Sequence, residues 1–318
     1  MFGATKSLLH AMDAATDSGL AALRHATTWL NSPALTADGL RGKVVAVDFW
    51  TYTCINWLRT LPYVRAWSEK YRDAGLVVIG VHAPEFGFEH DLDNVRRAVK
   101  EMRVNYPVAV DNDYAIWRGF DNNYWPALYL IDAKGAIWHR QFGEGSYGEA
   151  EAMIQKLLGG GNGMVTPEAH GIEVAADWDN LRSQENYLGS QRTEGFAPGR
   201  DAAKLRLNEW TLVGDWARGP HAVALNKPNG RIVSRFHARD VHLVMGPAAR
   251  GASVRFRVRL DGQAPGAAHG GDVEEQGQGV ITEQRLYQLI RQPRPIVDRQ
   301  FEIEFLDPGV EAFAFTFG

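Results

Sequence analysis

The sequence predicts an α/β domain followed by an all-β sandwich or jelly-roll domain, on three observations. In the first half, short apolar runs alternate with segments in which apolar residues recur every three or four positions, as in a layer of strands and helices. In the second half, apolar residues recur at every second position, which is typical of half-buried strands. Between the halves, residues 159–163 include four glycines, a composition expected of a flexible connection.

The central element of the first half is a β-branched and aromatic run at residues 43–50, which predicts a strand buried on both faces. Apolar side chains at helical spacing then predict a helix from about Cys54 to Arg72. Further strands are predicted at Leu76–Val81, Tyr106–Val110, Ala127–Ile131 and Ala136–Phe142, and further helices at Leu92–Met102 and Glu149–Leu158.

The alternation in the second half is clearest in two segments. Arginines alternate with apolar residues over 254–260, and glutamates do so over 301–305, so we expect an arginine face to lie opposite a glutamate face. Further strands are predicted at Arg231–Phe236, Val241–Met245, Arg285–Ile290 and Glu311–Phe317. The predicted organisation is a lead-in over 1–25, the α/β domain over 26–160, a linker and connecting segment over 161–205, and the sandwich over 206–318.

Composition excludes several classes of partner. The 318 residues carry 34 basic and 38 acidic side chains, a net charge of −4, so no broad positive field is present to attract nucleic acid or anionic lipid. No apolar stretch approaches the roughly 18 residues of a membrane span. The N-terminal apolar run ends by Asp13, earlier than in a signal peptide. We expect a cytoplasmic protein, or a periplasmic one if a leader has been removed.

The one cysteine, Cys54, limits the chemistry further. It cannot form an intramolecular disulfide or a cysteine-based zinc site, and we expect no metal and no cofactor. Cys54 lies where the predicted buried strand gives way to the predicted helix. At such a position unpaired backbone N–H groups and the helix dipole favour a thiolate. The alternative interpretation is a small buried hydrophobic side chain, since cysteine outside disulfides is among the most buried residue types.

The ten residues from Asp48 to Trp57 are Asp-Phe-Trp-Thr-Tyr-Thr-Cys-Ile-Asn-Trp. This stretch resembles the active site of thioredoxin-like proteins, whose pattern is Asp-Phe-Trp, three residues, then Cys-x-x-Cys. The strand–helix unit predicted between this stretch and Trp125-Pro126 resembles the TlpA and AhpC/TSA (redoxin) branch of these proteins. Pro62 lies where the active-site helix of that family kinks. Trp125-Pro126 resembles the cis-proline segment that the family packs against its reactive sulfur.

This resemblance implies a thioredoxin-like fold over about residues 26–158 and a role in cell redox homeostasis. It implies that Cys54 is redox-active, that Asp48 assists proton transfer, and that Trp125 and Pro126 orient the incoming partner. The segment Val81–Phe86 and the stretch 305–309 extend the resemblance to DipZ-type proteins, in which a TlpA-like domain is joined to a carbohydrate-binding-module-like domain. A carbohydrate or a protein is then a possible partner of the second domain.

Trp57 replaces the second cysteine of the family pattern, so an external thiol has to resolve any mixed disulfide formed at Cys54. The expected substrate is a protein or small-molecule disulfide. A peroxide is the alternative, because Thr51 matches part of the peroxiredoxin motif Pro-x-x-x-Thr-x-x-Cys, although Val47 replaces its proline. A third hypothesis is a binding protein that keeps the scaffold and has lost catalysis.

Several other side chains have both a functional and a structural interpretation. Trp57 either covers the thiol and binds the partner or packs the first turn of the helix. His82 and Glu85 follow a strand end, where α/β sheets place ligand sites, or they belong to an ordinary surface loop. His237 and His242 suit ordinary strand positions better than a metal site. The aromatic residues Trp210, Trp216, Phe313, Phe315 and Phe317 suit a core better than a sugar-binding face.

Overall fold

The computed structural model describes residues 19–318, which belong to two compact units. The first unit ends at Glu173 and the second spans Val174–Gly318. Most of the lead-in predicted over 1–25 lies outside the described residues, and its last part contains a short 3-10 helix, Ala22–His25. The segment 161–205, predicted as a connection, is divided between the units, with residues up to Glu173 in the first and the remainder in the second.

The first unit has an α/β core, and its elements follow the predicted order. The strands are β1 (Thr28–Leu30), β2 (Val44–Trp50), β3 (Leu76–His82), β4 (Val108–Val110), β5 (Ala127–Ile131) and β6 (Ile137–Phe142). The helices are α1 (Ile55–Lys70), α2 (Leu92–Glu101), α3 (Ala115–Gly119) and α4 (Tyr147–Leu157), and the 3-10 helices after Ala22–His25 are Asp38–Leu40, Gly87–His90 and Gly171–Glu173. The predicted strands and helices are present with ends within two residues, and β1 and α3 are additional.

The strand order β1-β4-β3-β2-β5-β6 places β2 inside the sheet. It runs parallel to β3 and antiparallel to β5, and all seven of its residues are buried. Its β-branched and aromatic composition therefore reflects burial on both faces. The chain leaves the carboxyl end of β2 and enters α1 within four residues, so Asp48 on the strand and Cys54 before the helix lie close along the chain. Pro62 lies inside α1.

The second unit is rich in antiparallel sheet. Its strands are β7 (Asn186–Tyr187), β8 (Trp210–Val213), β9 (Trp216–Arg218), β10 (Val223–Leu225), β11 (Gly230–Phe236), β12 (Asp240–Pro247), β13 (Val254–Leu260), β14 (Gln278–Ile281), β15 (Arg285–Arg291), β16 (Arg299–Phe305) and β17 (Val310–Phe317). Short 3-10 helices occur at Trp178–Asn180, Ala202–Lys204 and Gly266–Ala268. Within residues 19–318, no helix is long and apolar enough to span a membrane.

Two sheets of the second unit enclose one core, which confirms the predicted sandwich. One sheet has the order β15-β12-β17-β10-β9, with β7 paired to β17, and the other has the order β14-β13-β16-β11-β8. Residues of both sheets share the core, and the rings of Phe301 and Phe315 meet across it at 5.8 Å between centroids. A sandwich closes in this way because each sheet buries its apolar face against the other.

The predicted arginine and glutamate faces are directly opposed on β13 and β16. Arg257 pairs with Glu304 in the register, and Arg259 pairs with Glu302. Glu302 accepts hydrogen bonds from Arg259 at 3.2 Å and from Arg231 at 3.0 Å. Opposite charges at directly paired positions favour this register over a shifted one.

The aromatic side chains singled out in the second half belong to the core. Trp210 and Phe315 are buried within it, Trp216 and Phe317 pack against it, and Phe313 is also buried. A sugar-binding platform needs rings that face solvent, so these five rings do not provide one.

We predict that Phe301→Ala lowers the free energy of unfolding of the second unit by about 3–5 kcal/mol, because it removes a fully buried ring and leaves a cavity. The exposed loop residue Val297 supplies the control, and Val297→Ala should change that free energy by less than about 0.5 kcal/mol. Urea titration followed by circular dichroism measures both. Equal effects of the two substitutions would contradict the assignment of Phe301 to the core.

Candidate functional site

Cys54 occupies the N-cap position of α1, after the turn that leaves β2. Its backbone N–H donates to the carbonyl of Thr51 at 3.3 Å, and its carbonyl accepts from the N–H of Leu58 at 3.0 Å. The residue is partly exposed. The positive end of the helix dipole and the first N–H groups of α1 therefore lie beside a side chain that is within reach of solvent.

Asp48 on β2 and Trp57 in the first turn of α1 form a buried hydrogen-bonded pair. The indole Nε1 of Trp57 donates to Oδ2 of Asp48 at 2.9 Å, and both side chains have no solvent-exposed surface. The Trp57 ring also stacks on Trp50 at 4.3 Å between centroids. Trp57 is thus a packed core residue that satisfies the carboxyl group, which matches the packing interpretation and excludes an exposed lid in this conformation.

Burial raises the pKa of Asp48 to about 7, although the hydrogen bond from Trp57 lowers it. Desolvation therefore has a larger effect on the pKa of Asp48 than the hydrogen bond from the indole. Within the described residues, Oδ1 of Asp48 has no hydrogen-bond partner. Because Oδ2 is occupied by Trp57, Oδ1 is the oxygen on which the neutral acid carries its proton.

A second buried carboxyl group, Glu89, lies against the turn before Cys54, and the sequence did not indicate it. Thr53 donates its hydroxyl to Oε1 of Glu89 at 2.6 Å. The backbone N–H groups of Glu85 and Phe86 donate to Oε2 at 2.6 and 2.9 Å. Burial raises the pKa of Glu89 to about 7, although the hydrogen bonds from Thr53 and Phe86 lower it. Thr51 is also buried.

One signal in the sequence could have indicated Glu89. It lies three residues after Phe86, and a glutamate at this spacing caps the start of a helix by accepting backbone N–H bonds. In this loop, the position after a strand end indicated Glu85 instead. Its side chain is partly exposed, and it is the backbone of Glu85 that contacts Glu89.

His82 is buried at the carboxyl end of β3, opposite Trp50 in the register. Its ring meets Trp50 edge-on at 4.9 Å and lies nearly parallel to Tyr52 at 5.8 Å. Burial lowers the pKa of His82 to about 3, so the imidazole is neutral at physiological pH. We therefore assign His82 to packing beneath the turn that carries Cys54.

The peptide bond between Trp125 and Pro126 is cis, as the resemblance implies. Pro126 is buried, and Trp125 is partly buried with its indole Nε1 donating to the carbonyl of Ala83 at 3.0 Å. This hydrogen bond ties the Trp125-Pro126 segment to the loop that follows β3. The same loop donates a backbone N–H to Glu89, which also accepts from Thr53 in the turn before Cys54. The loop and Glu89 therefore connect the Trp125-Pro126 segment with the Cys54 turn.

The two other histidines considered in the sequence, His237 and His242, lie in the second unit. His237 Nδ1 lies 2.6 Å from Oδ1 of Asp298, and His242 is buried on β12. Among residues 19–318, no three His, Cys, Asp or Glu side chains are grouped as metal ligands.

The raised pKa of Asp48 predicts a pH-dependent contribution to stability. Because the folded-state pKa lies above the ordinary value, this contribution is complete below about pH 4 and is lost as pH rises through about 7. Asp48→Asn keeps an acceptor for Trp57 and stays neutral. Its free energy of unfolding should therefore rise relative to wild type by on the order of 2–4 kcal/mol between pH 4 and pH 8.

Urea titrations at stepped pH measure this difference. The control is Asp113→Asn, which alters an exposed aspartate and should show no comparable trend. A difference between Asp48→Asn and wild type that is constant with pH would contradict the raised pKa.

Two family models match the chain. Residues 42–137 match a model described as thioredoxin-like, and residues 183–318 match a model described as a thioredoxin-like C-terminal domain. These descriptions do not name the AhpC/TSA branch, which stays a prediction.

Individual relatives agree with the family models. Protein DipZ of Mycobacterium bovis is 36% identical over 239 residues, which make up 70% of this chain and 34% of DipZ, so the chain spans about a third of the length of that relative. Thiol-disulfide oxidoreductase YkuV of Bacillus subtilis is 28% identical over 130 residues, which cover 41% of this chain and 87% of YkuV. A solved structure of a thioredoxin-like protein in the oxidised form is 30% identical, covers 42% of this chain and 89% of that chain, and gives a TM-score of 0.39. The chain therefore contains a thioredoxin-like domain and a domain of the thioredoxin-like C-terminal family, and it is a homologue of DipZ over the region that the two proteins share.

Proposed function

We propose that this chain is a thiol-disulfide oxidoreductase that uses one thiol of its own, Cys54, and a second thiol supplied from outside. The observation that carries the proposal is the partly exposed Cys54 at the start of α1, with buried Trp57 at the position of the family's second cysteine. The similarity to YkuV, named a thiol-disulfide oxidoreductase, supports the reaction class.

The reaction consists of two exchanges. The Cys54 thiolate attacks one sulfur of a disulfide, so a bond forms between them, the substrate S–S bond breaks, and the other sulfur leaves as a thiolate that takes up a proton. An external thiol such as glutathione then attacks the substrate-derived sulfur as its thiolate, and Cys54 leaves as a thiolate. One disulfide is consumed and one is formed, so no additional oxidant or reductant enters.

Asp48 supports this chemistry by holding a proton close to the active-site turn. With its pKa raised to about 7, it changes between acid and base near neutral pH. The indole of Trp57 only donates a hydrogen bond and does not ionise in this pH range. We therefore propose that Asp48 exchanges its proton through Oδ1 and that Trp57 fixes the orientation of the carboxyl group.

A peroxide is the second substrate class. Thr51 is the residue that favours it, by its match to the peroxiredoxin motif. However, the Thr51 side chain is fully buried, so we rank the peroxide reaction below disulfide exchange. A scaffold that binds a partner without catalysis is the outcome if the thiol proves unreactive.

The first prediction of this proposal concerns the reactivity of Cys54. We expect iodoacetamide to alkylate Cys54 about tenfold faster at pH 7 than it alkylates free cysteine, because the helix start favours the thiolate. We also expect oxidised glutathione to place one glutathionyl group on the protein, and reduced glutathione to remove it. Mass spectrometry measures both reactions, and Cys54→Ser supplies the blank.

Alkylation no faster than that of free cysteine, with no glutathionylated product, would favour the binding protein. Faster consumption of hydrogen peroxide than of oxidised glutathione, dependent on Cys54, would favour the peroxidase.

The second prediction is that Trp57→Cys restores the dithiol reaction. Wild type should stop at the mixed disulfide and release one glutathione per chain, whereas the variant should go on to an intramolecular disulfide and release two. Trp57→Phe is the control, because it removes the indole N–H and retains an aromatic ring in the core. Release of one glutathione by both variants would contradict the assignment of residue 57 to the resolving position.

A further inference from the structure

Glu89 is a buried carboxylate that the proposed reaction does not use. It lies in the 3-10 helix Gly87–His90 after β3 and has no solvent-exposed surface. Burying a carboxyl group is costly unless donors satisfy it, and here three donors from two different loops do so. Such an arrangement holds the two loops at a fixed separation.

The first loop is the turn that leads into Cys54. Oε1 of Glu89 accepts the hydroxyl of Thr53 at 2.6 Å, and Thr53 is the residue immediately before Cys54. Thr53 is itself buried, so water does not replace this bond readily. The position of the Cys54 backbone is therefore coupled to the position of Glu89.

The second loop follows β3 and supports the Trp125-Pro126 segment. Oε2 of Glu89 accepts the backbone N–H groups of Glu85 and Phe86. In the same loop, the carbonyl of Ala83 accepts the indole N–H of Trp125 at 3.0 Å. The carbonyl of Pro84 accepts the hydroxyl of Tyr114, which attaches this loop to α3.

We propose that Glu89 is a positioning residue that sets Cys54 against the Trp125-Pro126 segment, so that an incoming disulfide meets both at once. This inference rests on the proposed function, because it concerns the alignment of a disulfide at Cys54. Glu89 then affects the reaction with an extended partner, because such a partner contacts both loops. A small alkylating reagent needs only the thiol and is not sensitive to this alignment.

The charge of Glu89 affects the strength of this link. As pH rises through about 7, Glu89 ionises, and its bonds from Thr53 and the two backbone N–H groups strengthen, since a carboxylate is the better acceptor. The titratable groups that interact electrostatically with Glu89 are Glu85, Tyr52 and Tyr114. Tyr52 and Tyr114 stay neutral here because burial raises the pKa of both phenols.

The experiment compares two reactions of Cys54 in the full chain, with oxidised glutathione and with iodoacetamide. In Glu89→Gln, which cannot accept from all three donors with one oxygen, we expect the glutathione reaction at pH 7.5 to slow by about tenfold to a hundredfold. The iodoacetamide reaction should change by less than about threefold, since alignment with the second loop does not affect it. The ratio of the two rates should rise more steeply through pH 7 in wild type than in Glu89→Gln, in which Asp48 still changes its charge in this range.

Variants of Thr53 test the same link without altering Glu89. Thr53→Val removes the hydroxyl and should reproduce the selective loss, whereas Thr53→Ser retains a hydroxyl and should restore the wild-type ratio of rates. Glu101→Gln removes an exposed carboxylate on α2 and should leave both reactions unchanged. Circular dichroism and the midpoint of thermal unfolding establish that each variant is folded, and the Thr53 pair decides the question if Glu89→Gln does not fold.

The outcomes separate this inference from the proposed function. If wild type reacts with oxidised glutathione and the variants of Glu89 and Thr53 match it, only the inference is wrong. If both reactions slow equally in these variants, Glu89 has a general structural role and the inference is again wrong. If wild type does not react with oxidised glutathione, the proposed function fails and this inference fails with it.

Discussion

The hydrogen bond from Trp57 to Asp48 is the interaction on which the rest of the site depends. A carboxyl group in the middle of a strand buried on both faces has lost its water, and one indole N–H is the only donor that the described residues offer it. This donor does not compensate for burial, since the pKa of Asp48 is still raised to about 7. Trp57 therefore keeps the carboxyl group in place and leaves it able to change its charge near neutral pH.

The identity of residue 57 determines which chemistry the scaffold can support. A cysteine at this position could exchange both a proton and a disulfide bond with its surroundings, whereas an indole can do neither. The Trp57 ring stacks on Trp50 and donates to Asp48, so a buried core side chain occupies the position of the second thiol. Cys54, the one cysteine of the chain, is therefore the thiol left for the proposed exchange with an external thiol.

Most of the fold and part of the site could be predicted from the sequence because they depend on local periodicity and short spacing. The strand at Val44–Trp50, the helix after Cys54 and the opposed arginine and glutamate faces are of this kind. The three-residue β1 and the five-residue α3 are too short to show a period. Glu89 was missed because its burial depends on how the loop after β3 packs against the turn before Cys54, which sequence spacing does not encode.

Asp48 and Glu89 both have a raised pKa, although their hydrogen-bond donors differ. Asp48 has a single donor from a rigid ring, whereas Glu89 has a hydroxyl and two backbone N–H groups, yet burial raises both pKa values to about 7. Additional donors therefore do not restore the ordinary acidity of Glu89, which indicates that desolvation is the larger effect at both positions. Glu89 accepts a hydrogen bond from Thr53, directly before Cys54, and Asp48 accepts one from Trp57, three residues after Cys54. Two carboxyl groups with a pKa of about 7 are thus hydrogen-bonded to residues on either side of Cys54 in the chain.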